Sequence, residues 1–550
     1  MDTLLTIVSL VGLTAAVGGL TWWLTRGKTG DTSDGYFLAG RSLGAGVIAG
    51  SLMLTNLSTE QLVGLNGDAF RNGLHVFVWE VVAAVALALM ALVFLPRFLK
   101  SGVTTVPQYL GKRFDATTRD ACTAILVLAY TFILLPVVLF SGGRALVDIL
   151  DVTALTGLSD TAALWITVWA VGLLGSVYAI FGGLKAVAVS DTLNAFGLLI
   201  GGVLITVFGL AYLGETRGGG FAEGLNVLRT EHTDRLNSIA PATDVPGNVP
   251  FGTIFTGVLL INLYYWCTNQ VIIQRTLGAS SLKAGQQGVL LAGFLKVLGP
   301  LILVVPGLIA FHLYTDTEPG LPANQVYGRL VRDVLPAALT GLFAAALLGA
   351  ILSSFNSALS STSTLFSLGV FRERIRPDAD ESAVVASGRW FGVFVALLAM
   401  TLAPFLDGQQ SIFNYIQTMN ALYFIPILAV VCVGFFTRRV GPRAATAALL
   451  IGVAVNAAAA FVPVGITAKG AAVFVSGGWM HGFHFVALVW VVLVVGLLIA
   501  GAVAPAPPKP ADPAAPPIDL TPWRGAWPTA LLLIAIVVGI YACFVDLGVL

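Results

Sequence analysis

Long apolar segments alternate with short polar ones along almost the whole chain. A helix needs about 20 apolar residues to cross the hydrocarbon layer of a membrane, and on that basis the pattern predicts about 14 spans. The predicted ranges are 3–25, 44–70, 74–97, 120–143, 161–182, 187–213, 250–274, 286–312, 332–370, 388–405, 410–436, 441–463, 480–501 and 525–548. The pattern therefore predicts an all-α polytopic membrane protein.

The composition supports this prediction and excludes several classes of function. Of the 550 residues, 57% are hydrophobic and 10% are charged, whereas a soluble domain carries about 25% charged residues. The net charge of +1 offers no basic surface for nucleic acid. The cysteines and histidines show no metal-binding spacing within the spans. We therefore expect a transporter and not an enzyme.

The distribution of Lys and Arg predicts the orientation in the membrane. Basic residues concentrate in alternate loops, beginning with 26–43 and including the loop with Arg275 and Lys283. Cytoplasmic loops carry such an excess, so both termini are predicted outside the plasma (inner) membrane. Residues 214–249 form a long external loop, and the Pro/Ala-rich residues 502–524 form a semi-extended cytoplasmic linker.

Polar side chains interrupt several of the predicted spans. Charged groups inside a span cost about 2.5–3.5 kcal/mol each, so they usually face a cavity or a partner. The second span contains the polar run 55–61, which is typical of a helix that breaks and exposes backbone carbonyls. The main polar positions in later spans are Trp79-Glu80, Asn262 to Gln270, Lys296, Ser353-Ser354 and Gln417.

These side chains suit a polar small molecule. Amide, carboxylate and ammonium groups supply hydrogen bonds in several directions, and aromatic rings supply apolar faces. A pyranose has the same two properties, but the side chains alone do not fix the solute. Local alternatives also exist, because a lone Ser often hydrogen-bonds its own helix and Glu80 could lie at the lipid headgroups.

Four motifs carry a resemblance to a known family. They are Tyr36 to Arg41, Thr105 to Leu110, Gly182 to Val187 with Asp191, and Asn262 to Arg275. Together they resemble the sodium/solute symporter family, and within it the bacterial sodium/galactose and sodium/glucose cotransporters. The resemblance implies a leucine-transporter-like core of two inverted repeats of five helices, with the first helix of each repeat broken.

The resemblance also implies how the chain is divided. Residues 1–43 hold an extra helix and a cytoplasmic loop, 44–213 the first repeat and 214–249 the external loop. Residues 250–436 hold the second repeat, and 437–550 hold additional helices with the linker. The polar interruptions at Asn56 and at Asn262–Trp266 fall in the first helices of the two repeats, so they predict where these helices break.

The family pattern implies the roles of individual residues. The residues matching sugar-binding positions are Gln61, Trp79, Glu80, Asn262, Lys296 and Gln417, and those at the gates are Asn56, Tyr265 and Trp266. Trp79 and Ala83 stand where the family has Tyr and Ser, which leaves the preferred sugar epimer undetermined.

A sodium site is implied in the same way. Its ligands would be the carbonyls of Leu54, Leu57 and Ala350 with the hydroxyls of Ser353 and Ser354, because hard oxygen donors suit a hard cation. Asp191 matches an acidic residue on the family's sodium exit path. Its alternative is a cap or a salt bridge near the cytoplasmic end of its helix.

These expectations combine into one function. The resemblance implies a sodium-coupled symporter that imports a hexose by alternating access, with Na⁺ co-transported. The expected partners are a small-molecule sugar, Na⁺ and the lipid bilayer, without nucleic acid or an obligatory protein partner. A symporter for another polar solute, such as inositol or an organic anion, is the alternative. A nutrient sensor that does not transport is a more distant one.

Overall fold

The computed structural model describes residues 2–25, 33–240, 248–407, 412–466, 472–474, 481–507 and 518–546. Its α-helices are Asp2–Thr25, Ser33–Leu38, Ala45–Asn56, Thr59–Asn72, Val78–Leu89, Leu95–Ser101, Val106–Arg113, Ala116–Ala129, Leu135–Leu150, Val152–Thr156, Asp160–Glu215, Phe221–Thr230, Gly257–Cys267, Gln270–Leu277, Leu282–Val297, Pro300–Leu303, Val305–Tyr314, Ala323–Val334, Ala337–Phe366, Glu381–Leu402, Ile412–Phe436, Pro442–Phe461, Gly482–Val503 and Ala526–Phe544.

Short tighter and wider helical turns connect some of these helices. The 3₁₀ turns are Ala39–Arg41, Leu74–Phe77, Thr233–Leu236, Phe251–Phe255 and Ala403–Leu406, and the π-helical turns are Met90–Phe94, Tyr130–Leu134 and Ser367–Ile375. One antiparallel pair of short strands, Pro463–Ile466 and Ala472–Phe474, lies beyond the core helices. The sequence analysis did not predict this pair.

Within the described residues, 11 helices are long and apolar enough to cross a membrane. A twelfth candidate is the pair Leu282–Val297 and Pro300–Tyr314, which is bent by 43°. Two further apolar helices, Ala45–Asn56 and Gly257–Cys267, are too short to qualify alone. Each of these short helices is one half of a broken helix and does not count as a span alone. The predicted count of about 14 spans therefore stays a prediction.

The first broken helix consists of Ala45–Asn56 and Thr59–Asn72. Leu57 and Ser58 leave the helical conformation, with ψ angles of 60° and 166°. The Ser58 N–H donates to the Asn56 carbonyl at 2.7 Å, so the Leu54 carbonyl loses the donor it would have four residues ahead in a helix. The break predicted near Asn56 is confirmed, and it leaves backbone oxygen available inside the protein.

The second broken helix consists of Gly257–Cys267 and Gln270–Leu277. The break lies at Thr268 and Asn269, so the position predicted for it, Asn262–Trp266, is wrong. The Asn262 amide donates to its own helix at the Val258 carbonyl, which leaves that turn intact. The Asn269 side chain instead accepts from the Val271 N–H at 3.1 Å and starts a new helix as its N-cap.

Several other segments differ from their predictions. One helix, Asp160–Glu215, covers the fifth and sixth predicted spans and contains two candidate spans. The predicted external loop contains the helix Phe221–Thr230. The predicted linker 502–524 is described only at its ends, since residues 508–517 lie outside the described part of the chain.

Candidate functional site

A cavity of about 830 Å³, part of it open to solvent, lies between the breaks of the two broken helices. The predicted site residues that line it are Asn56, Gln61, Trp79, Asn262, Tyr265, Trp266, Ser354 and Gln417. The structure therefore brings most of the predicted substrate and gate residues to one place.

Glu80 and Lys296 are close to the cavity but are not among the residues that line it. Both side chains are fully buried, and the Lys296 ammonium forms an ion pair with the Glu80 carboxylate. The same ammonium donates to Asn56 Oδ1 and lies 5.8 Å from the centre of the Trp266 ring. The pair thus stands behind the cavity wall, where each charge compensates the burial of the other.

Gln61 connects this ion pair to the cavity. In the amide orientation that satisfies its neighbours, Gln61 donates to the Asn56 carbonyl at 3.1 Å and to Glu80 Oε1 at 3.2 Å. Its oxygen accepts from Asn56 Nδ2 at 3.1 Å. A solute that hydrogen-bonds Asn56 or Gln61 would therefore interact with the ion pair indirectly, through one shared network.

Aromatic side chains enclose the polar part of the cavity. The Tyr265 hydroxyl contacts the Asn56 side chain, and its ring packs edge-on against Trp266 at 5.2 Å. Trp79 packs edge-on against Phe483 at 5.3 Å, which joins the wall to the helix Gly482–Val503. These contacts provide apolar faces next to amide groups, as the sequence predicted for a sugar-like solute.

Unsatisfied hydroxyl groups mark the candidate sodium site. The Ser354 hydroxyl donates to the Thr55 carbonyl at 3.4 Å, which joins the helix Ala337–Phe366 to the first break. The buried hydroxyls of Ser353 and Thr55 have no hydrogen-bond partner that meets normal geometry among the described residues. Buried polar groups are nearly always paired, so these oxygens and the freed Leu54 carbonyl fit a bound cation.

The other predicted sodium ligands lie in the same region of the fold. Leu57 follows Asn56 at the break, and Ala350 precedes Ser353 and Ser354 on their helix. Leu54, Leu57 and Ala350 are all fully buried. Their carbonyls are therefore available only to a ligand inside the protein, and their role as ligands stays a prediction.

Asp191 is part of a buried charged network. Its carboxylate accepts from the Ser51 hydroxyl at 2.7 Å and lies 3.4 Å from the Arg275 guanidinium. Arg275 also donates to Ser51 at 2.8 Å and to the Ser357 hydroxyl. Asp191 therefore forms a salt bridge, which is the alternative role predicted for it from the sequence. The Ser353 hydroxyl also faces this carboxylate. A place on the sodium exit path stays a prediction.

Sequence reasoning missed two charged residues of this region. Arg275 was assigned to a cytoplasmic loop, which is wrong, because it is fully buried at the end of the second broken helix. Glu60 was noted only as part of a polar run, yet it lines the cavity. The signal was available for Glu60, since it lies inside the predicted span 44–70 and charged residues in spans usually mark sites or partners.

Comparisons with known proteins agree with this geometry. The chain is 41% identical over 545 residues to the uncharacterized symporter YidK of Escherichia coli (strain K12), covering 99% of this chain and 92% of that protein. It is 32% identical over 461 residues to the sodium/glucose cotransporter of Vibrio parahaemolyticus, covering 80% and 82% of the two chains.

A solved structure shows the fold. A Na⁺-coupled sialic acid symporter in a substrate-bound, outward-open state superposes with a TM-score of 0.75 at 18% identity, covering 92% of this chain and 99% of its own. The fold is thus the inverted-repeat transporter fold with a broken first helix in each repeat. The family model for sodium:solute symporters matches residues 36–452. The chain therefore belongs to the sodium:solute symporter family, whose co-transported ion is Na⁺.

Proposed function

We propose that this symporter imports a neutral hexose together with Na⁺ by alternating access. The observation that carries the proposal is the position of the first break. On one side, the Thr55 carbonyl accepts from the Ser354 hydroxyl, and the hydroxyls of Thr55 and Ser353 have no hydrogen-bond partner among the described residues. On the other, Asn56 and Gln61 line the cavity. One short segment of backbone therefore serves both the cation and the solute.

The cavity supports a sugar through its mixed lining. Asn56, Gln61 and Gln417 offer amide groups, while Trp79 and Tyr265 offer ring faces. Hydroxyl groups need donors and acceptors in several directions, and the C–H face of a pyranose needs an apolar surface. The sodium/glucose cotransporter of Vibrio parahaemolyticus, a relative at 32% identity, supports the same solute class.

Coupling follows from the shared segment. A cation bound at Ser353 and Ser354 would fix the first break, and the fixed break would orient Asn56 and Gln61 for the solute. Two ligands that favour the same conformation strengthen the binding of each other by an equal factor. Loss of Na⁺ to the cytoplasm would loosen the Asn56–Tyr265 contact and release the sugar. The proposal places the protein in the plasma membrane with both termini outside.

Uptake into proteoliposomes tests this function. We expect an inward Na⁺ gradient to drive uptake of labelled glucose or galactose, and Ser354→Ala to abolish the Na⁺ stimulation. Thr362→Ala is a matched control, because within the described part of the chain that hydroxyl bonds only the Ala358 carbonyl of its own helix. Wild-type Na⁺ dependence in Ser354→Ala would remove Ser354 from the ion site. A panel containing inositol and organic acids identifies the solute if hexoses are not taken up.

A further inference from the structure

Glu60 presents an unsatisfied carboxylate oxygen in the cavity. The residue lies in the first turn of Thr59–Asn72 and is 8% exposed. Its Oε2 atom has no hydrogen-bond partner among the described residues. Such an atom is costly when it is left alone and is usually completed by a ligand or water. The oxygen is itself buried beside the cavity, so a solute that reached it would complete its hydrogen bonding.

Glu60 also sets the charge of the cavity. It is the only acidic or basic side chain among the described residues that line the space. The nearest other charges, Lys296 and Glu80, are paired with each other and cancel. The contacts of Glu60 are the hydroxyls of Ser58 and Ser141 and its own backbone N–H, which bring no positive charge.

We propose that Glu60 selects the charge class of the solute. Its carboxylate accepts a hydrogen bond from a hydroxyl group of a neutral solute and repels solutes that carry a carboxylate. The inference rests on the proposed transport function and narrows it, because it separates hexoses and inositol from organic anions and sugar acids. Two like charges about 6 Å apart, at an effective dielectric constant of about 20, differ from a neutral pair by roughly a hundredfold in affinity.

Ligand-induced thermal stabilisation of the purified full-length protein in Na⁺ tests the proposal without requiring transport. The probes are galactose, inositol, galacturonate and sialic acid, measured for the wild type, Glu60→Gln and Asp68→Asn. Asp68 is a buried carboxylate on the same helix that does not line the cavity. Na⁺-driven uptake of labelled galactose is measured in parallel as the separate test of the hexose function.

We expect neutral solutes to stabilise the wild type and anionic ones to bind about a hundredfold more weakly. Glu60→Gln should reduce that ratio at least tenfold, while Asp68→Asn leaves it unchanged. Equal binding of galactose and galacturonate by the wild type would overturn the inference, as would an unchanged ratio in Glu60→Gln. Stabilisation by inositol without galactose uptake would contradict the hexose function and still support the role of Glu60.

Discussion

At the scale of single residues, the most consequential contact is the one between Lys296 and Glu80. The two side chains are fully buried, and their charges are balanced only by each other. Replacing one member leaves an uncompensated charge in a low-dielectric interior, which costs about 3–5 kcal/mol. Removing both charges leaves no such penalty. We therefore expect both stability and the proposed solute binding to depend on this pair.

This linkage gives a prediction for the pair. We expect Lys296→Met to lower the free energy of unfolding by about 3–5 kcal/mol, because Glu80 loses its counter-charge. The double variant Lys296→Met with Glu80→Gln should recover most of that loss and still bind hexose weakly, because the network through Asn56 and Gln61 has lost both charges. Thermal unfolding and a sugar titration of the wild type and the two variants check this. A double variant no more stable than the single one would contradict it.

At the scale of the element, the junction at Val304, between Pro300–Leu303 and Val305–Tyr314, has an identifiable cause. Pro306 lacks an N–H, so the carbonyl of Ile302, four residues earlier, cannot accept a helical hydrogen bond from it. The Asn66 side chain donates to that carbonyl at 3.2 Å and accepts from the Gly307 N–H at 2.9 Å. Asn66 belongs to Thr59–Asn72, the second half of the first broken helix. One side chain therefore fastens that helix to the junction.

Asn66→Leu should remove both bonds. We expect a loss of about 2–6 kcal/mol in the free energy of unfolding, because two buried backbone groups lose their partners at about 1–3 kcal/mol each. Adding Pro306→Ala restores a donor for the Ile302 carbonyl and should recover part of the loss. Thermal unfolding measures both variants. Equal stability of wild type and Asn66→Leu would contradict the stabilising role of this contact.

The elements also show what the sequence could predict. The polar run around Asn56 indicated the first break, because the polar side chains and the backbone groups that the break exposes are neighbours in the sequence. The second break was misplaced, because Asn262 and Asn269 are equally polar and only their local hydrogen bonds distinguish them. The pairing of Glu80 with Lys296 joins residues 216 positions apart. Only the packed tertiary structure determines such a contact.

At the scale of the whole molecule, the network around Arg275 joins the two repeats. Arg275 lies in the second broken helix, Ser51 in the first, and Asp191 and Ser357 in two further helices. These helices meet through one buried guanidinium group. The Arg275 guanidinium therefore holds the two broken helices in contact.

The expected sugar gradient follows from the coupled ion. One charge moving through 100 mV provides about 2.3 kcal/mol, and a tenfold Na⁺ gradient provides about 1.4 kcal/mol more. With one Na⁺ per sugar, we expect proteoliposomes to accumulate sugar several hundredfold, falling to about tenfold when the potential is collapsed. Measuring the plateau with and without an ionophore checks this. Accumulation above about a thousandfold would require more than one Na⁺ per sugar.

The last helix of the described residues affects how chimeras of this protein should be designed. Ala526–Phe544 lies beyond the residues that match the family model, yet Leu533 packs so closely on Gly293 that a methyl group there would meet it at 2.5 Å. Gly293 lies one turn before Lys296 on the same helix. A chimera that takes only residues 36–452 from this chain would keep the Glu80–Lys296 ion pair. It would lose the C-terminal helix, which packs against the helix that carries Lys296. Grafting experiments on this symporter should carry the C-terminal helix along with the core.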